Sequence, residues 1–432
     1  MIARLVGLLG LAALPAWAEV PVQVVTSPGG VTAWLVEEPA IPFVALEIRF
    51  RGGATLDAPG KEGSVVLMAG LLEEGTGELD AQGFAAARDG LAASYRFAAG
   101  RETVSVSARF LSENRDQAVD LLRRALVEPA FAPDALERVR GQVLAGLQQD
   151  AKDPEAIAAR VFDRLAFGDH VYARPSDGTP ESVAGLTVED MRAAHRAALA
   201  RDRVYVAAVG DISAADLAPM LDRLLGGLPA EGAALPGPAT VGLNGQVEIE
   251  PFPGPQSVIL FGHEGIDRSD PDFFAAFVAS EILGGGRFGT RLMTEVREKR
   301  GLTYGIGAGL AQLDHAALVS GQVQTANATV AQTIEVIRTE WARIADIGAE
   351  ELEAVKTYMT GAYPLRWDGN AAIARQLVGL MLDGYPPDYP EKRNGHIEAV
   401  TLEDARRAAA RVFDPARLSF VVVGAPEGLE PR

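Results

Sequence analysis

Apolar residues along this chain recur at two spacings, which predict strands and helices in turn. Every second residue is apolar from Val44 to Phe50, the spacing of a strand with one buried face. Residues 61–72 are apolar on nearly all sides, which predicts a buried helix. Further strands are expected within 95–110, with a break at Gly100, and further helices at 80–91, 113–127, 133–150 and 154–167.

A short helix followed by a strand is predicted in the second half of the chain. The helix covers 291–300 after a candidate N-cap at Thr290, and Gly301 suits the left-handed residue that ends a helix. Apolar residues then recur at every second position from Leu302 to Leu310, the pattern of a strand.

Arg297 and Tyr304 lie on either side of this junction, seven residues apart. The pattern places Arg297 in the last turn of the helix and Tyr304 on the apolar face of the strand. An arginine presents a rigid fork of donors, and a tyrosine hydroxyl can donate to a developing oxyanion. The pair is a candidate substrate-binding site, and a solvated arginine beside a core tyrosine is the simpler interpretation.

Two stretches of the chain, 182–211 and 396–425, repeat one another. Each predicts a helix capped by a threonine, Thr187 or Thr401 (401 − 187 = 214), and then a buried strand. A repeat near half the chain length predicts two copies of one domain. The second half repeats the order of the first, with strands at 245–262 and 302–325 and helices at 271–284, 327–346, 349–363, 369–383 and 401–412.

Strands followed by clustered helices in each half predict an α+β fold, a mixed sheet packed on helices and used twice. Residues 226–243 join the halves and are rich in glycine, proline and alanine without periodicity, as a linker is. We therefore expect an N-terminal domain over 19–225 and a C-terminal domain over 244–432.

The composition of the chain limits the classes of partner that it can bind. Of 432 residues, 48% are hydrophobic and 23% are charged, which is typical of globular chains with a sizeable core. The net charge of −18 argues against nucleic acid and against an anionic membrane surface. The chain has no cysteine, so disulfides and thiolate zinc sites are excluded.

The first eighteen residues have the pattern of a cleavable secretory signal. Arg4 precedes an apolar run over 5–14, and Ala16-Trp17-Ala18 fits a small-residue cleavage site. The apolar run is too short to cross a bilayer, and an uncleaved anchor is the alternative. We expect a mature chain that starts at Glu19, is exported to a bacterial periplasm and has no stable insertion in the membrane.

The segment GRFGTRLMTEVREKRGLTY, residues 286–304, resembles a segment of the pitrilysin/insulinase family of zinc peptidases. The resemblance covers nearly the whole mature chain and implies two peptidase-like domains that form one half of a clamshell. In the family's corresponding segment, an arginine and a tyrosine seven residues apart contact the substrate. The resemblance implies that role for Arg297 and Tyr304.

The family's active centre is an inverted zinc motif, H-x-x-E-H, completed by a later glutamate. Histidines at i and i+4 share one helix face and can bind one metal ion while the glutamate acts as base. Alignment on Gly63 and Gly75 identifies the corresponding positions of this chain. They are Val66, Ala69, Gly70 and Leu147. None of these side chains can bind zinc or accept a proton.

No other motif replaces the lost one. The five histidines never stand three or four residues apart, and His263-Glu264 is interpreted as a solvated dipeptide in a turn. The chain has neither a G-x-S-x-G nucleophile motif nor a phosphate-binding loop with G-K-[ST].

The resemblance therefore implies a non-catalytic, substrate-binding subunit of a periplasmic zinc metallopeptidase, without a cofactor of its own. A homologous partner would carry the zinc in a hetero-oligomer, peptides would be the substrates, and the chain alone would cleave nothing. Two alternatives stay open. One is a structural scaffold in which Arg297 and Tyr304 have lost their role. The other is a stand-alone peptide-binding or chaperone clamshell.

Overall fold

The structure is a computed structural model that describes residues 21–430. The predicted signal, residues 1–18, lies outside the described residues. The predicted elements of the first half form in the expected order, with ends shifted by a few residues, and helices over 180–184 and 214–225 were not predicted. Its strands are β1 (Gln23–Thr26), β2 (Thr32–Glu37), β3 (Phe43–Arg51), β4 (Gly75–Thr76), β5 (Leu79–Asp80), β6 (Ser94–Ala99), β7 (Thr103–Leu111) and β8 (Val204–Gly210). Its helices are α1 (Ser64–Gly70), α2 (Ala81–Gly90), α3 (Arg115–Val127), α4 (Pro133–Asp150), α5 (Pro154–Phe167), α6 (Pro180–Ala184), α7 (Val188–Ala198) and α8 (Ala214–Leu225).

The second half repeats this plan with fewer elements. Its strands are β9 (Val247–Pro251), β10 (Gln256–Glu264), β11 (Ile306–Gln312), β12 (Ala317–Ala326) and β13 (Ser419–Gly424). Its helices are α9 (Phe273–Gly284), α10 (Val330–Arg343), α11 (Ala349–Ala362), α12 (Asn370–Leu382), α13 (Tyr389–Glu398) and α14 (Leu402–Val412). A π-helix, Met293–Glu298, lies between α9 and β11. Within residues 21–430 no helix is both long and apolar enough to cross a bilayer.

Each half builds one mixed sheet. Among the described residues the first sheet has the order β1-β2-β8-β3-β7-β6, and only β2 and β8 run parallel. The second has the order β11-β12-β10-β13-β9, with β9 and β13 parallel. The main core of each half lies between one face of its sheet and its own helices. The predicted α+β fold, used twice, is thereby confirmed, while the exact bounds of the two domains stay a prediction.

The internal repeat is visible in the caps of α7 and α14. The hydroxyl of Thr187 accepts from the backbone N–H of Asp190, whose carboxylate accepts from the backbone N–H of Thr187. Thr401 and Asp404 make the same pair of bonds at α14. Reciprocal capping of this kind satisfies two backbone donors that a helix end otherwise leaves unpaired. Both helices lead into the buried strands β8 and β13, as the repeat predicts.

Each half contributes one helix that packs on the sheet of the other half. The helix covers the outer face of that sheet, which is the face turned away from the sheet's own main core. From the first half, α5 covers the second sheet with Ala158, Val161, Phe162 and Ala166, which meet Val258, Leu318, Val421 and Val423. From the second half, α12 covers the first sheet with Ala374, Leu377 and Val378, which meet Trp34, Val36, Ala45, Ala207 and Val209. Each sheet is therefore buried on its second face by the other half of the chain.

The helix α13 has no counterpart among the predicted elements. Its sequence, YPEKRNGHIE, has no periodic apolar face and contains a glycine and an asparagine. Tertiary contacts hold it instead. The guanidinium of Arg393 donates to the carbonyl of Met359 at 2.9 Å, and the amide of Asn394 donates to the carbonyl of Thr360 at 3.1 Å. These bonds tie α13 to α11, so its helicity depends on packing rather than propensity.

The interpretation of His263 as a solvated turn residue is wrong. Because β10 extends to Glu264, His263 lies inside a central strand and is fully buried. Its Nε2 accepts from the indole N–H of Trp341 at 2.9 Å, and its Nδ1 donates to the carbonyl of Glu264 at 2.7 Å. Burial lowers the pKa of His263, so the ring is neutral and links β10 to α10.

Candidate functional site

The helix α1 carries three of the positions where the family motif would supply a zinc ligand or the catalytic base. Val66 and Gly70 are partly buried, and Ala69 is buried against the core. A Cβ atom on Gly70 would come within 3.1 Å of Cγ1 of Val139, so even a small side chain there crowds α4. Leu147, the fourth position, lies on α4 and is partly buried. These residues do not fit a zinc ion, because none offers a donor atom.

Elsewhere in residues 21–430 no group of three or more His, Asp or Glu side chains could hold a metal ion. Of the three motif positions on α1, Ala69 belongs to the hydrophobic interior, together with its neighbours on the helix. Leu67, Met68 and Ala69 all belong to the main core of the first half. The helix that would be catalytic in the family is a packing element in this chain.

Asp57 holds the N-terminal end of α1. Its carboxylate accepts from the backbone N–H groups of Gly63 at 2.7 Å and Val65 at 2.9 Å, and from the hydroxyl of Ser64 at 2.6 Å. The cap therefore comes from a residue seven positions before the helix, while the residue at the helix boundary, Gly63, has a positive φ of 88°. Burial raises the pKa of Asp57 to about 6, although the three hydrogen bonds act in the opposite direction.

We predict that Asp57 makes stability depend on pH. Since its pKa is higher in the folded than in the unfolded chain, its contribution is greatest at low pH and is lost as pH rises through about 6. Between pH 7 and pH 5 the free energy of unfolding of the wild type should gain about 1 kcal/mol relative to that of Asp57→Asn. Urea unfolding of both proteins across this range measures the difference, and parallel pH curves would contradict the assignment.

The short helix before β11 forms as predicted but with a wider turn. The hydroxyl of Thr290 accepts from the backbone N–H of Met293 at 3.3 Å, and Gly301 ends the helix with a positive φ of 63°. Between them the backbone N–H of Lys299 donates to the carbonyl of Thr294, five residues back. Such π-turns are rare and recur at functional sites, because the extra residue re-aims the side chains that follow.

Arg297 lies in this π-helix and forms no ion pair with any residue of 21–430. Its guanidinium carbon lies 5.1 Å from the centre of the Phe288 ring, which is itself 69% exposed. The neighbouring cations differ, since Lys299 and Arg300 both pair with Glu295 at 2.6 Å. Within residues 21–430 the guanidinium of Arg297 has no hydrogen-bond acceptor, so its five donors stay available to a ligand.

The prediction that Tyr304 lies on the apolar face of a strand is wrong. The side chain is 91% exposed, and β11 begins only at Ile306. The hydroxyl of Thr303 donates to the carbonyl of Gly305 at 2.9 Å and accepts from its N–H at 3.2 Å. Because of this local turn the strand starts later in the sequence than predicted, since side-chain bonds to nearby backbone compete with sheet pairing. Tyr304 therefore projects from a loop, and its hydroxyl has no partner among the described residues.

A pocket of about 340 Å³ lies beside Tyr304. It opens on the face of the second sheet that α5 partly covers, next to the edge strand β11. Its lining residues are Glu155, Gln256, Thr303, Tyr304, Gly305, Ile306, Gly307, Gln322, Val323 and Gln324. Arg297 does not line this pocket, so the structure places the two predicted site residues on one surface segment but only Tyr304 in the pocket.

Residues that the sequence did not single out complete this region. Phe288 lies under the guanidinium of Arg297, and Glu155 reaches the pocket from the first turn of α5. The three glutamines of the lining come from β10 and β12. The alternation of glutamine with apolar residues in GQVQTA is a signal for Gln322 and Gln324 on one strand face, whereas nothing in the sequence joins Glu155 to them.

Together, the fold and this region define a protein built from two α+β peptidase-type domains whose metal-binding positions carry no ligands. Residues 33–178 match the family described as Insulinase (Peptidase family M16), and residues 185–359 match the one described as Peptidase M16 inactive domain. The chain belongs to the insulinase family, peptidase family M16. The resemblance inferred from residues 286–304 is thus confirmed.

Individual relatives agree with this assignment. The non-peptidase homolog YmxG of Helicobacter pylori is 27% identical over 393 residues, 90% of each chain. The beta subunit of the mitochondrial-processing peptidase of Blastocladiella emersonii is 22% identical, over 94% of this chain and 89% of that one. The crystal structure of a peptidase M16 inactive domain from Pseudomonas fluorescens superimposes with a TM-score of 0.87 at 29% identity, covering 95% of this chain and all of that one.

Proposed function

We propose that this chain is the non-catalytic, substrate-binding subunit of an exported, periplasmic zinc metallopeptidase of the insulinase type. A homologous partner subunit carries the zinc site, and the two form a hetero-oligomer shaped as a clamshell. Arg297 and Tyr304 of this chain hold the peptide at the partner's zinc. The observation that carries the proposal is a contrast between two parts of the chain. The zinc motif is replaced by Val66, Ala69, Gly70 and Leu147, whereas within residues 21–430 the guanidinium of Arg297 and the hydroxyl of Tyr304 have no hydrogen-bond or ion-pair partner.

Each of the two side chains has a role that its chemistry allows. The hydroxyl of Tyr304 can donate to the substrate carbonyl oxygen, on which negative charge develops during hydrolysis. The guanidinium of Arg297 can hold a second carbonyl or a carboxylate with two parallel hydrogen bonds. Neither side chain has to leave a hydrogen-bond or ion-pair partner, since within residues 21–430 both are without one.

The edge strand β11 offers the backbone part of such a site. Among the described strands it pairs only with β12, so one row of its N–H and carbonyl groups faces outward. Extended peptides bind such edges by adding a strand. Side chains do not crowd the approach, because Cβ atoms on Gly305 or Gly309 would meet nothing within 4 Å.

The proposal predicts the behaviour of the purified chain and of its complex. The chain alone should contain no stoichiometric zinc and should cleave no peptide, because its motif positions lack donor atoms. A tagged copy expressed in its source organism should capture a protein with an intact H-x-x-E-H motif, and the captured complex should cleave peptides until a chelator is added. Elemental analysis and a fluorogenic peptide assay measure both. Chelator-sensitive cleavage by the isolated chain would overturn the proposal.

A second candidate is a peptide-binding clamshell without a proteolytic partner. The observation that favours it is the position of Arg297 over Phe288 and outside the pocket beside Tyr304. In that case the isolated chain binds extended peptides with the same affinity whether or not any zinc-bearing protein is present. Capture experiments then recover no protein with the zinc motif.

A further inference from the structure

We infer that the pocket beside Tyr304 receives a lysine or arginine side chain of a peptide bound along β11, with Glu155 as its counter-charge. This inference rests on the proposed peptide-binding function. It adds that the site selects a basic side chain of the peptide. It also assigns this selection to α5, a helix of the first half of the chain.

The lining of the pocket sets the chemistry of its occupant. Glu155 is the single charged residue among the ten that line it, and three glutamines supply amide oxygens. A buried or half-enclosed ammonium or guanidinium needs a negative partner and further acceptors, which a carboxylate and amide oxygens provide. An acidic side chain would meet Glu155 at close range without a cation in the lining to offset the repulsion.

Glu155 is exposed, and no group within residues 21–430 donates to its second carboxylate oxygen. Its Oε1 accepts from the side-chain amide of Gln324, which directs the carboxylate toward the pocket. No lysine or arginine among the described residues pairs with it, whereas Glu295 pairs with both Lys299 and Arg300. A ligand cation would therefore form a new ion pair without breaking an existing one.

The register of the sheet brings a bound peptide side chain to this pocket. Gly307 pairs with Gln322, and Gln322 pairs with Leu260 in turn. These residues lie on the sheet face that α5 covers, whereas Ile306 and Val323 lie on the opposite face in the core. A strand added outside β11 presents every second side chain to the α5 face. One of them meets the open floor that Gly305 and Gly307 leave.

The test compares short extended peptides that differ only at one central residue, which is lysine, norleucine or glutamate. Fluorescence anisotropy with the purified full chain at neutral pH measures their affinity. We expect lysine to bind about fivefold more tightly than norleucine, the size expected of a partly exposed ion pair, and glutamate to bind more weakly than either. High salt should reduce the preference.

Glu155→Gln should abolish the preference for lysine and leave the norleucine peptide unaffected. Glu181→Gln is the matched control, because Glu181 is also exposed and follows a proline in the first turn of a helix, far from the lining. As a second variant, Gly307→Val fills the pocket floor and should also remove the preference for lysine.

The outcomes separate this inference from the proposed function. If all three peptides bind equally, or if the lysine preference survives Glu155→Gln, the pocket does not select a cation, and peptide binding by the chain still stands. If none of the three peptides binds, the proposed peptide-binding function itself fails and this inference fails with it. A preference for glutamate would overturn the assignment of Glu155 directly.

Discussion

Replacing Tyr304 by phenylalanine is expected to lower peptide hydrolysis by the assembled complex about 10²- to 10³-fold, the usual effect of removing one donor to a developing oxyanion. The loss should fall on kcat, because the donor is needed most in the transition state. The hydroxyl has no hydrogen-bond partner in the described part of the chain and the ring is 91% exposed, so the melting temperature of the chain should not change. This combination isolates a functional role from a structural one.

The control for this variant is Tyr358→Phe. Tyr358 is also an exposed tyrosine, 45% exposed on α11, and Arg287 lies over its ring at 5.6 Å. It lies outside the pocket lining, so removing its hydroxyl should leave hydrolysis unchanged. Unaltered kcat in Tyr304→Phe, with the complex intact by sedimentation, would mean that Tyr304 has no part in catalysis and would favour the scaffold or the simple peptide binder.

The second large effect concerns α12, the helix of the second half that packs on the sheet of the first half. Leu377→Ala should lower the free energy of unfolding by about 2–5 kcal/mol, the cost of truncating a fully buried leucine in a core. Leu377 belongs to α12 in the second half, yet it packs against the sheet of the first half beside Trp34 and Val209. The destabilisation should therefore reach the first half of the chain.

Hydrogen exchange measures where this destabilisation appears. Backbone amides of β3 and β8, the strands that α12 covers, should exchange faster in Leu377→Ala than in the wild type. Leu365→Ala is the matched control, because Leu365 is 79% exposed just before α12 and should change stability little. If faster exchange were confined to the second half, the two halves would fold independently despite their contact.

The exchanged helices also explain how a site can be assembled from both halves. Glu155 lies in the first turn of α5, and later residues of this helix belong to the cluster that covers the outer face of the second sheet. That packing holds the carboxylate beside Gln324 of β12. A rigid helix anchored by several buried apolar side chains positions a charged residue better than a loop would. The relation between the halves thus matters for the pocket as well as for stability.

Much of the local structure could be predicted because it depends on neighbours in the sequence. The caps at Thr187 and Thr401, the left-handed Gly301 and the alternation in β3 each follow from residues a few positions apart. The loss of zinc ligands at Gly70 and the neighbouring motif positions is likewise a matter of residue identity, since no packing can give a glycine a donor atom.

Errors arose where a residue's setting depends on distant parts of the chain or on competing local bonds. His263 was predicted to be solvated because its hydrogen-bond partner, Trp341, lies 78 residues away in the sequence. Tyr304 was predicted to be a core residue because the alternation of apolar and polar residues continues through it. In the structure the hydroxyl of Thr303 bonds to the backbone of Gly305 and forms a turn before the strand begins. Helix α13 gave no pattern at all, since hydrogen bonds to α11 rather than an apolar face hold it.

The sequence by itself determined that this chain is a twofold α+β member of a peptidase family without its zinc ligands, because motifs, caps and periodicity are properties of adjacent residues. Only the tertiary structure decided that α5 and α12 cross to the other half, that Tyr304 projects from a loop and that Glu155 lines a pocket with Gln324. The physical reason is that the second face of each sheet carries apolar residues that need cover, and which helix covers them is decided by packing across the whole chain.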